Sequence, residues 1–393
     1  MIASPITEIL PCHRIMSISQ LDLRKFVAPE FICGYGALQL AGRYARNFGM
    51  KQVLLVTDPG VRAAGWADAV AESLAEADIA FTVFDSVSAN PRTRQVMAGM
   101  EVYRSEECNG IVVVGGGSPM DCAKGIGVAS SNMRDILTFE GVDRVPVSAP
   151  PLICIPTTAG SSADVSQFAI LTDEGEKRKI AIISKALVPD VSLLDPEPLT
   201  TMSRDLTADT GVDALSHAIE AYVSNASSPM TDVHALEAIR LVTSALPAAL
   251  EEPGDLDLRF STLLASLHAG LAFSNASVGA AHAMAHSLGG AYDLAHGRCN
   301  ALLLEHVMAA NYEAAPDRYD RIGAIFGPGR VTPAEKVAAF RRSLGITETL
   351  ADVGVREDTI PALARCAYAD PCMVTNPRSL ACDDIERIYE HAF

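Results

Sequence analysis

The sequence predicts an α/β N-terminal domain, built as a parallel sheet in a variant dinucleotide-binding fold, followed by an all-α C-terminal domain. Three observations carry this. Short apolar runs alternate with helix-period segments through the first half, and a Gly-rich turn follows one of those runs. Beyond Asp195-Pro196, β-branched runs give way to long Ala/Leu-rich helical patterns. The division falls near residue 197, giving domains 1–197 and 198–393 with no internal repeat or low-complexity linker between them.

In chain order, Val53-Leu54-Leu55-Val56, Phe81-Thr82-Val83-Phe84, Ile111-Val112-Val113-Val114 and Leu152-Ile153-Cys154-Ile155 read as strands buried on both faces. The spans between the first three have helical spacing, so the unit is strand–helix–strand and helices cover both sides of the sheet. From about Ser166 to Asp195, β-branched runs surround Asp173-Glu174-Gly175-Glu176-Lys177-Arg178-Lys179, which reads as a hairpin-like excursion. The remainder is helical.

A chain of 393 residues can build two full cores. Its net charge of −17 and pI of 4.9 disfavour a nucleic-acid or anionic-membrane surface. Nine cysteines, odd in number and without a Cys-x-x-Cys, suit a reducing cytoplasm better than secretion. The start Met1-Ile2-Ala3-Ser4-Pro5 lacks the basic flank and apolar run of a signal peptide, and no apolar stretch is expected to reach membrane-spanning length. These features predict a cytoplasmic globular protein.

Strand 111–114 runs into Gly115-Gly116-Gly117-Ser118-Pro119-Met120-Asp121. The glycines let the backbone approach a ligand; Ser118 is expected as the N-cap, Pro119 as the first helical residue and Asp121 as a capping-box-like partner. The free N–H groups of such a helix end suit a pyrophosphate, although the turn alone could be only a tight turn. Thr57-Asp58 closes the first strand, where a carboxylate can accept hydrogen bonds from an adenosine ribose and repel a 2′-phosphate, favouring NAD over NADP. Here the acid precedes the glycines, opposite to the ordinary fingerprint, which makes the fold a variant. The alternative for Asp58 is a turn residue before Pro59-Gly60. Asn90-Pro91 and Pro156-Thr157-Thr158-Ala159-Gly160-Ser161-Ser162 also follow strands, and their amides and hydroxyls can serve phosphate, nicotinamide or plain turns.

Asp213 and His217 are four apart, as are His282 and His286, and His296 follows. Four residues are one helical turn, so each pair presents two side chains to one point. One carboxylate and three imidazoles suit a divalent transition metal with a position left open, and serve Fe2+ and Zn2+ alike. Satisfied core histidines and a capping or salt-bridging Asp213 are the plain alternatives. The five residues together, in Gly/Ala-rich surroundings, favour a site, whereas His13, His234, His268, His306 and His391 stand singly. His-Ala-Met-Ala-His lacks the Glu of His-Glu-x-x-His, which disfavours a zinc protease.

Gly115-Gly116-Gly117-Ser118-x-x-Asp121, Pro156-Thr157-Thr158-Ala159-Gly160, Gly211-Val212-Asp213-Ala214-Leu215-Ser216-His217-Ala218-Ile219-Glu220 and Ala281-His282-Ala283-Met284-Ala285-His286-x-Leu288-Gly289, continuing to His296-Gly297, resemble the iron-containing (group III) alcohol dehydrogenases. The resemblance runs from about Phe31 to the C-terminus; residues 1–26 have no counterpart. It implies a metal in the cleft between the two domains, held by Asp213, His217, His282 and His296, with His286 nearby and unligated. On the cofactor side it points to Asp58, Asn90, Gly116, Gly117, Ser118, Thr157, Thr158, Ser161 and Lys179, beside Asp121 of the glycine motif. Phe273 and Cys372 fall where relatives line the substrate pocket. Phe168 stands where the lactaldehyde-reducing branch has Asn, Asp164 where relatives usually carry Glu, and Arg298 and Cys299 are uncommon beside the last histidine.

The implied activity is a metal-dependent alcohol dehydrogenase passing a hydride between a short-chain primary alcohol, or its aldehyde, and NAD. The few polar residues near Phe168 and Phe273 point to an alcohol such as ethanol. His286 is the expected proton relay. Fe2+, alternatively Zn2+, is the expected metal, and a homo-oligomer with a small-molecule partner is expected. Alternatives are a glycerol or diol dehydrogenase of the same fold, or a metal- and nucleotide-binding regulator with vestigial catalysis. A dehydroquinate-synthase-type lyase would need a basic phosphate-binding cluster that the sequence does not offer.

Overall fold

The structure, a computed structural model, describes residues 23–393; the Met1–Pro5 start, Cys12 and His13 lie outside the described residues. The strands are β1 (Glu30–Cys33), β2 (Gln52–Val56), β3 (Ala80–Phe84), β4 (Gly110–Gly115), β5 (Gly141–Val142), β6 (Leu152–Pro156), β7 (Phe168–Asp173), β8 (Arg178–Ile183) and β9 (Val191–Leu194). Six pair in parallel in the order β1-β9-β6-β4-β2-β3. Helices α1 (Ala41–Asn47), α2 (Pro59–Ala63), α3 (Trp66–Glu76), α4 (Thr93–Ser105) and α5 (Gly117–Asn132) lie between these strands. Separate apolar cores form on the two faces of the sheet, around Leu54, Ile111 and Val113 on one and Val53, Val112 and Ile153 on the other. Covering both faces explains why β4 and β6 are buried throughout and carry runs of Ile, Val and Leu.

The expectation of burial on both faces fails for β3. It is the edge strand, and only Phe84 is buried while Phe81, Thr82 and Val83 are partly exposed. Three strands were not foreseen, β1, β5 and β9. β1 is short and largely exposed, and β9 leaves the hairpin region to insert between β1 and β6. The hairpin itself is present: β7 and β8 pair antiparallel, with Asp173 accepting from the Gly175 N–H at 2.9 Å in the turn. β5 joins β8 to give a second sheet of three strands.

After β9 the chain is helical, as α6 (Arg204–Val223), α7 (Pro229–Glu251), α8 (Leu256–Ala276), α9 (Ala280–Tyr292), α10 (His296–Asn311), α11 (Pro316–Ile325), α12 (Pro333–Ser343), α13 (Ile360–Ala369) and α14 (Cys382–His391). Side-chain oxygens begin the long ones: Ser203, Ser228 and Asp255 cap α6, α7 and α8. One expectation needs correcting. α7 spans 23 residues with a window of mean hydropathy 1.3, long and apolar enough to cross a membrane by length and composition. Its Ala235, Ala238, Ile239, Val242 and Leu246 recur at helical spacing and are buried against α6 and α8, so the apolarity belongs to the helical core.

The loop after β6 presses directly on α6. A Cβ on Gly160 would lie 2.6 Å from both the Thr210 Cβ and its carbonyl oxygen, so only glycine fits between sheet and helices. Gly160→Ala should therefore lower stability by about 1–3 kcal/mol, the usual cost of overpacking. A chemical-denaturation midpoint equal to that of the parent protein would contradict this close approach.

Candidate active site

The C-terminal ends of β2, β4 and β6 face α6, α9 and α10 across one cleft of about 890 Å³. Asp58, Asn90, Gly116, Gly117, Ser118, Asp121, Thr157, Thr158, Ser161, Lys179, Asp213, His217, His282, His286, His296, Phe168, Phe273 and Cys372 all line it. The sequence-predicted site residues are thus brought to a single cavity at the carboxyl edge of a doubly wound sheet, where such folds bind ligands.

On the helical side, α6 supplies Asp213 and His217, α9 supplies His282, and His296 is the first residue of α10. One donor atom from each lies within 4.8 Å of the others. Asp213 Oδ1 is 3.8 Å from His282 Nε2 and 3.7 Å from His296 Nε2. These separations are too long for hydrogen bonds and near the spacing that ligands of one ion keep. His217 stacks between Phe273 and His282, with ring centroids 4.2 and 4.4 Å away.

Buried polar atoms are normally paired, yet His282 Nε2 and His217 Nδ1 are buried without a hydrogen-bond partner. Burial, reinforced by neighbouring His282, holds His217 and His296 well below the ordinary imidazole range, which keeps their lone pairs available. Burial raises Asp213, against the opposing pull of His282 and the Asn300 amide. Neutral imidazoles with unpaired nitrogens around one carboxylate are the donor set of a divalent transition metal, so these residues fit that group.

Two neighbours were missed as functional residues. Glu220 accepts from the Gly279, Ala281 and His282 N–H groups and, at 2.6 Å, from His282 Nδ1–H. Asn300 donates to Asp213 Oδ1 at 2.8 Å and lies 3.2 Å from His296 Nε2. The available signal was spacing: Glu220 is two turns after Asp213, and Asn300 one turn after His296. His234 and His268, read as single, in fact pair at 3.0 Å through Nδ1 because α7 and α8 pack side by side. Asp164 does not line the cleft; it accepts from Ser192 Oγ at 2.8 Å within the sheet.

His286 lies outside the four-donor cluster, its ring stacked on His296 at 5.4 Å. Its Nδ1–H donates to Asp370 at 2.8 Å. Burial pushes Asp370 up, but His286 and the Cys372 N–H outweigh it and leave the carboxyl below its usual range. Burial and Asp370 together raise the Cys372 thiol well above its ordinary value. Phe168 and Phe273 meet edge to face at 5.5 Å, giving this end of the cleft an apolar wall.

On the sheet side, the helix start differs from expectation. α5 begins at Gly117 with Gly116 as N-cap and no side-chain cap, so Ser118 and Pro119 lie inside the first turn. The Pro119 ring packs over Gly115, where a Cβ would lie 2.6 Å from its Cγ, so that position accepts only glycine. The uncapped N–H groups remain free for an anion. Cβ atoms on Gly116 and Gly117 would lie 3.1 Å from Thr158 and 2.9 Å from Ser161, so these two glycines are what lets the loops meet. Asp121 is no capping partner either; it accepts from the Ile170 N–H of β7 at 3.1 Å and ties α5 to the hairpin.

Asp58 Oδ1 caps α2, accepting from the Gly60 and Val61 N–H groups at 2.8 and 2.9 Å, which realises the turn reading at a residue that also lines the cleft. Asn90 accepts from Lys179 Nζ at 2.5 Å and donates to Asp293 at 2.8 Å. Burial holds Lys179 below its ordinary range.

A free helix N-terminus facing a buried metal-type cluster across one cleft is the layout of an enzyme that joins an anionic ligand to metal-assisted chemistry. The sequence matches the iron-containing alcohol dehydrogenase profile over residues 28–196 and the C-terminal profile of the Fe-containing alcohol dehydrogenase family over residues 207–393. The chain belongs to the iron-containing alcohol dehydrogenase family. It is 40% identical over 371 residues to 1,3-propanediol dehydrogenase of Klebsiella pneumoniae, covering 92% of this chain and 96% of that one. It is 35% identical over 376 residues to NAD-dependent methanol dehydrogenase of Bacillus methanolicus, covering 93% and 99%. The crystal structure of a 1,3-propanediol oxidoreductase superposes with a TM-score of 0.91 at 39% identity, covering 95% of this chain and all of that one. The protein is an oxidoreductase acting on alcohols or aldehydes.

Burial, opposed by Lys124, raises Asp121 from 3.8 to about 6. The folded state then holds that proton more tightly than the unfolded chain, so this contribution is full below about pH 4 and is lost as pH rises through about 6. Asp121→Asn, which cannot ionise, should gain about 2 kcal/mol on the parent protein between pH 4 and pH 7. Denaturation of the two proteins across that range checks it, and a difference independent of pH would contradict it.

Proposed function

We propose that this family member is a metal-dependent dehydrogenase that oxidises a short-chain primary alcohol, or reduces its aldehyde, with NAD. The observation that carries this reading is the buried donor cluster with its unpaired His282 and His217 nitrogens, in the same cleft as the uncapped start of α5. Asp213, His217, His282 and His296 would hold Fe2+, with Zn2+ as the alternative. When bound, the divalent ion supplies Lewis acidity at the alcohol oxygen.

The remaining roles fall to the chain's own residues. The α5 N–H groups, with Thr157, Thr158 and Ser161, receive the pyrophosphate. Asp58 has one oxygen engaged as a cap, and its other oxygen would accept from the adenosine ribose, its charge disfavouring a 2′-phosphate. Lys179, Asn90 and Asp121, which line the same cleft, would complete the NAD site. His286, with Nδ1–H donated to Asp370, offers Nε2 to take the alcohol proton. The domains divided near residue 197 would form the two walls of the cleft, among the described residues 23–197 on one side and 198–393 on the other.

Phe168, Phe273 and Cys372 present an apolar wall, which supports a small, weakly polar substrate such as ethanol. A diol is the second reading, and it is favoured by the 40% identity to a 1,3-propanediol dehydrogenase. A regulator with vestigial catalysis is disfavoured by the complete donor set.

Comparing two histidines one turn apart tests the assignment. His282→Ala should lose bound metal and turnover together while remaining folded. His286→Ala should keep its metal but lose about 10²–10⁴ in kcat, the usual span for a general acid–base group. Metal analysis beside steady-state kinetics separates them. Full metal content in His282→Ala, or near-normal kcat in His286→Ala, would remove that residue from its role.

A further inference from the structure

Glu220 has a chemistry that capping alone does not require. It stands on α6 one turn beyond His217, is 4% exposed, and no Lys or Arg among the described residues forms an ion pair with it. Its Oε1 accepts from the Ala281 N–H at 2.7 Å. Its Oε2 accepts from the Gly279 N–H at 3.0 Å, the His282 N–H at 3.3 Å and His282 Nδ1–H at 2.6 Å. The intervening Ala280 N–H goes to Asn376 at 3.2 Å. Glu220 therefore satisfies most of the free donors at the start of α9, and it holds the ring of the one α9 residue that reaches the donor cluster.

The consequence lies at the other ring nitrogen. An imidazole that donates from Nδ1 carries its lone pair on Nε2. In His282 that Nε2 is the buried atom without a partner, 3.8 Å from Asp213 Oδ1. Together, Asp213 and Glu220 also place two carboxylates around a buried position suited to a dication.

We propose that Glu220 is a positioning residue of the metal centre: it fixes His282 as the Nδ1–H tautomer with Nε2 turned into the cluster, and its charge helps to balance the ion. The inference rests on the reading that Asp213, His217, His282 and His296 hold a divalent metal. Glu220 acts through His282 and touches neither alcohol nor NAD. A carboxylate is required because all four groups facing it are donors. The amide of a glutamine would turn two N–H bonds toward at least one of them, or would force His282 to protonate on Nε2, where ligation is impossible. Aspartate keeps the charge but is one methylene too short to reach both the backbone and the ring.

Two measurements test this on the whole chain. In metal-free protein labelled with 15N-histidine, long-range NMR correlations of His282 should show the Nδ1–H tautomer in the parent, and a shift toward Nε2–H in Glu220→Gln. Titration with Co2+, followed by its visible absorption, should show affinity weakened 10–100-fold in Glu220→Gln. Glu220→Asp should fall between the two. If Glu220→Gln does not fold, the tautomer of the parent protein and the Glu220→Asp titration decide. An Nε2–H tautomer in the parent, or parental Co2+ affinity in the substituted protein, would overturn the proposal and leave Glu220 a helix cap only. Failure of the parent itself to bind Co2+ would overturn the metal reading and this inference with it.

Discussion

The start of α10 lies so close to α6 that a Cβ on Gly297 would sit 2.5 Å from the Asp209 carbonyl and 3.4 Å from the Asp213 Cβ. That approach is the constraint on which the cleft depends, because His296 is the residue just before it and can reach the Asp213 side chain only if the two helices nearly touch. Arg298 holds the arrangement, donating to Asp209 at 2.7 Å and to Glu348 at 2.6 Å. Asn300, one turn on, bridges Asp213 and His296. The glycine, the arginine and the asparagine form a short structural sentence around one histidine, and the uncommon Arg298 acquires a role as the clamp.

The helices and the sheet divide the work differently. Three helices converge to bury acceptors and lone pairs, which favours a cation. The sheet presents the opposite arrangement, backbone N–H groups at the start of α5 in a glycine-lined turn, which favours an anion. Asp121 and Lys179 border the region between them, each shifted by burial in the direction that disfavours its charge. On the proposed function, donor sets of opposite preference on facing walls of one cleft would let a negatively charged cofactor and the alcohol oxygen meet.

Much of this was legible in the sequence because the signals were periodic or local. Runs such as Ile111–Val114 read as doubly buried strands and are so, and the four-residue spacing of Asp213 with His217 marked one turn of helix. What was misread depended on tertiary context. Phe81–Val83 is a mainly apolar, β-forming run like the central strands, and its edge position exposes it. Ser118 and Pro119 fit a cap and first helical residue by type, but the helix starts two residues earlier, with Gly116 as N-cap. Asp121 looked like a local cap and instead reaches Ile170 across the fold. β9 and the partners of Glu220 are long-range pairings, which no local pattern encodes. α7 shows the same limit in reverse: its apolar composition satisfies a membrane span, and its burial is set by neighbours far along the chain.

In the proposed function, one divalent metal held by Asp213, His217, His282 and His296 makes this cleft an NAD-linked alcohol dehydrogenase. The direct measurement is anaerobic reconstitution of chelator-treated protein with Fe2+, following NADH formation across a panel of short primary alcohols and diols. The stripped protein should show no turnover, and activity should rise with bound metal and saturate at about one ion per chain. Undiminished NADH formation by the metal-free protein would contradict it.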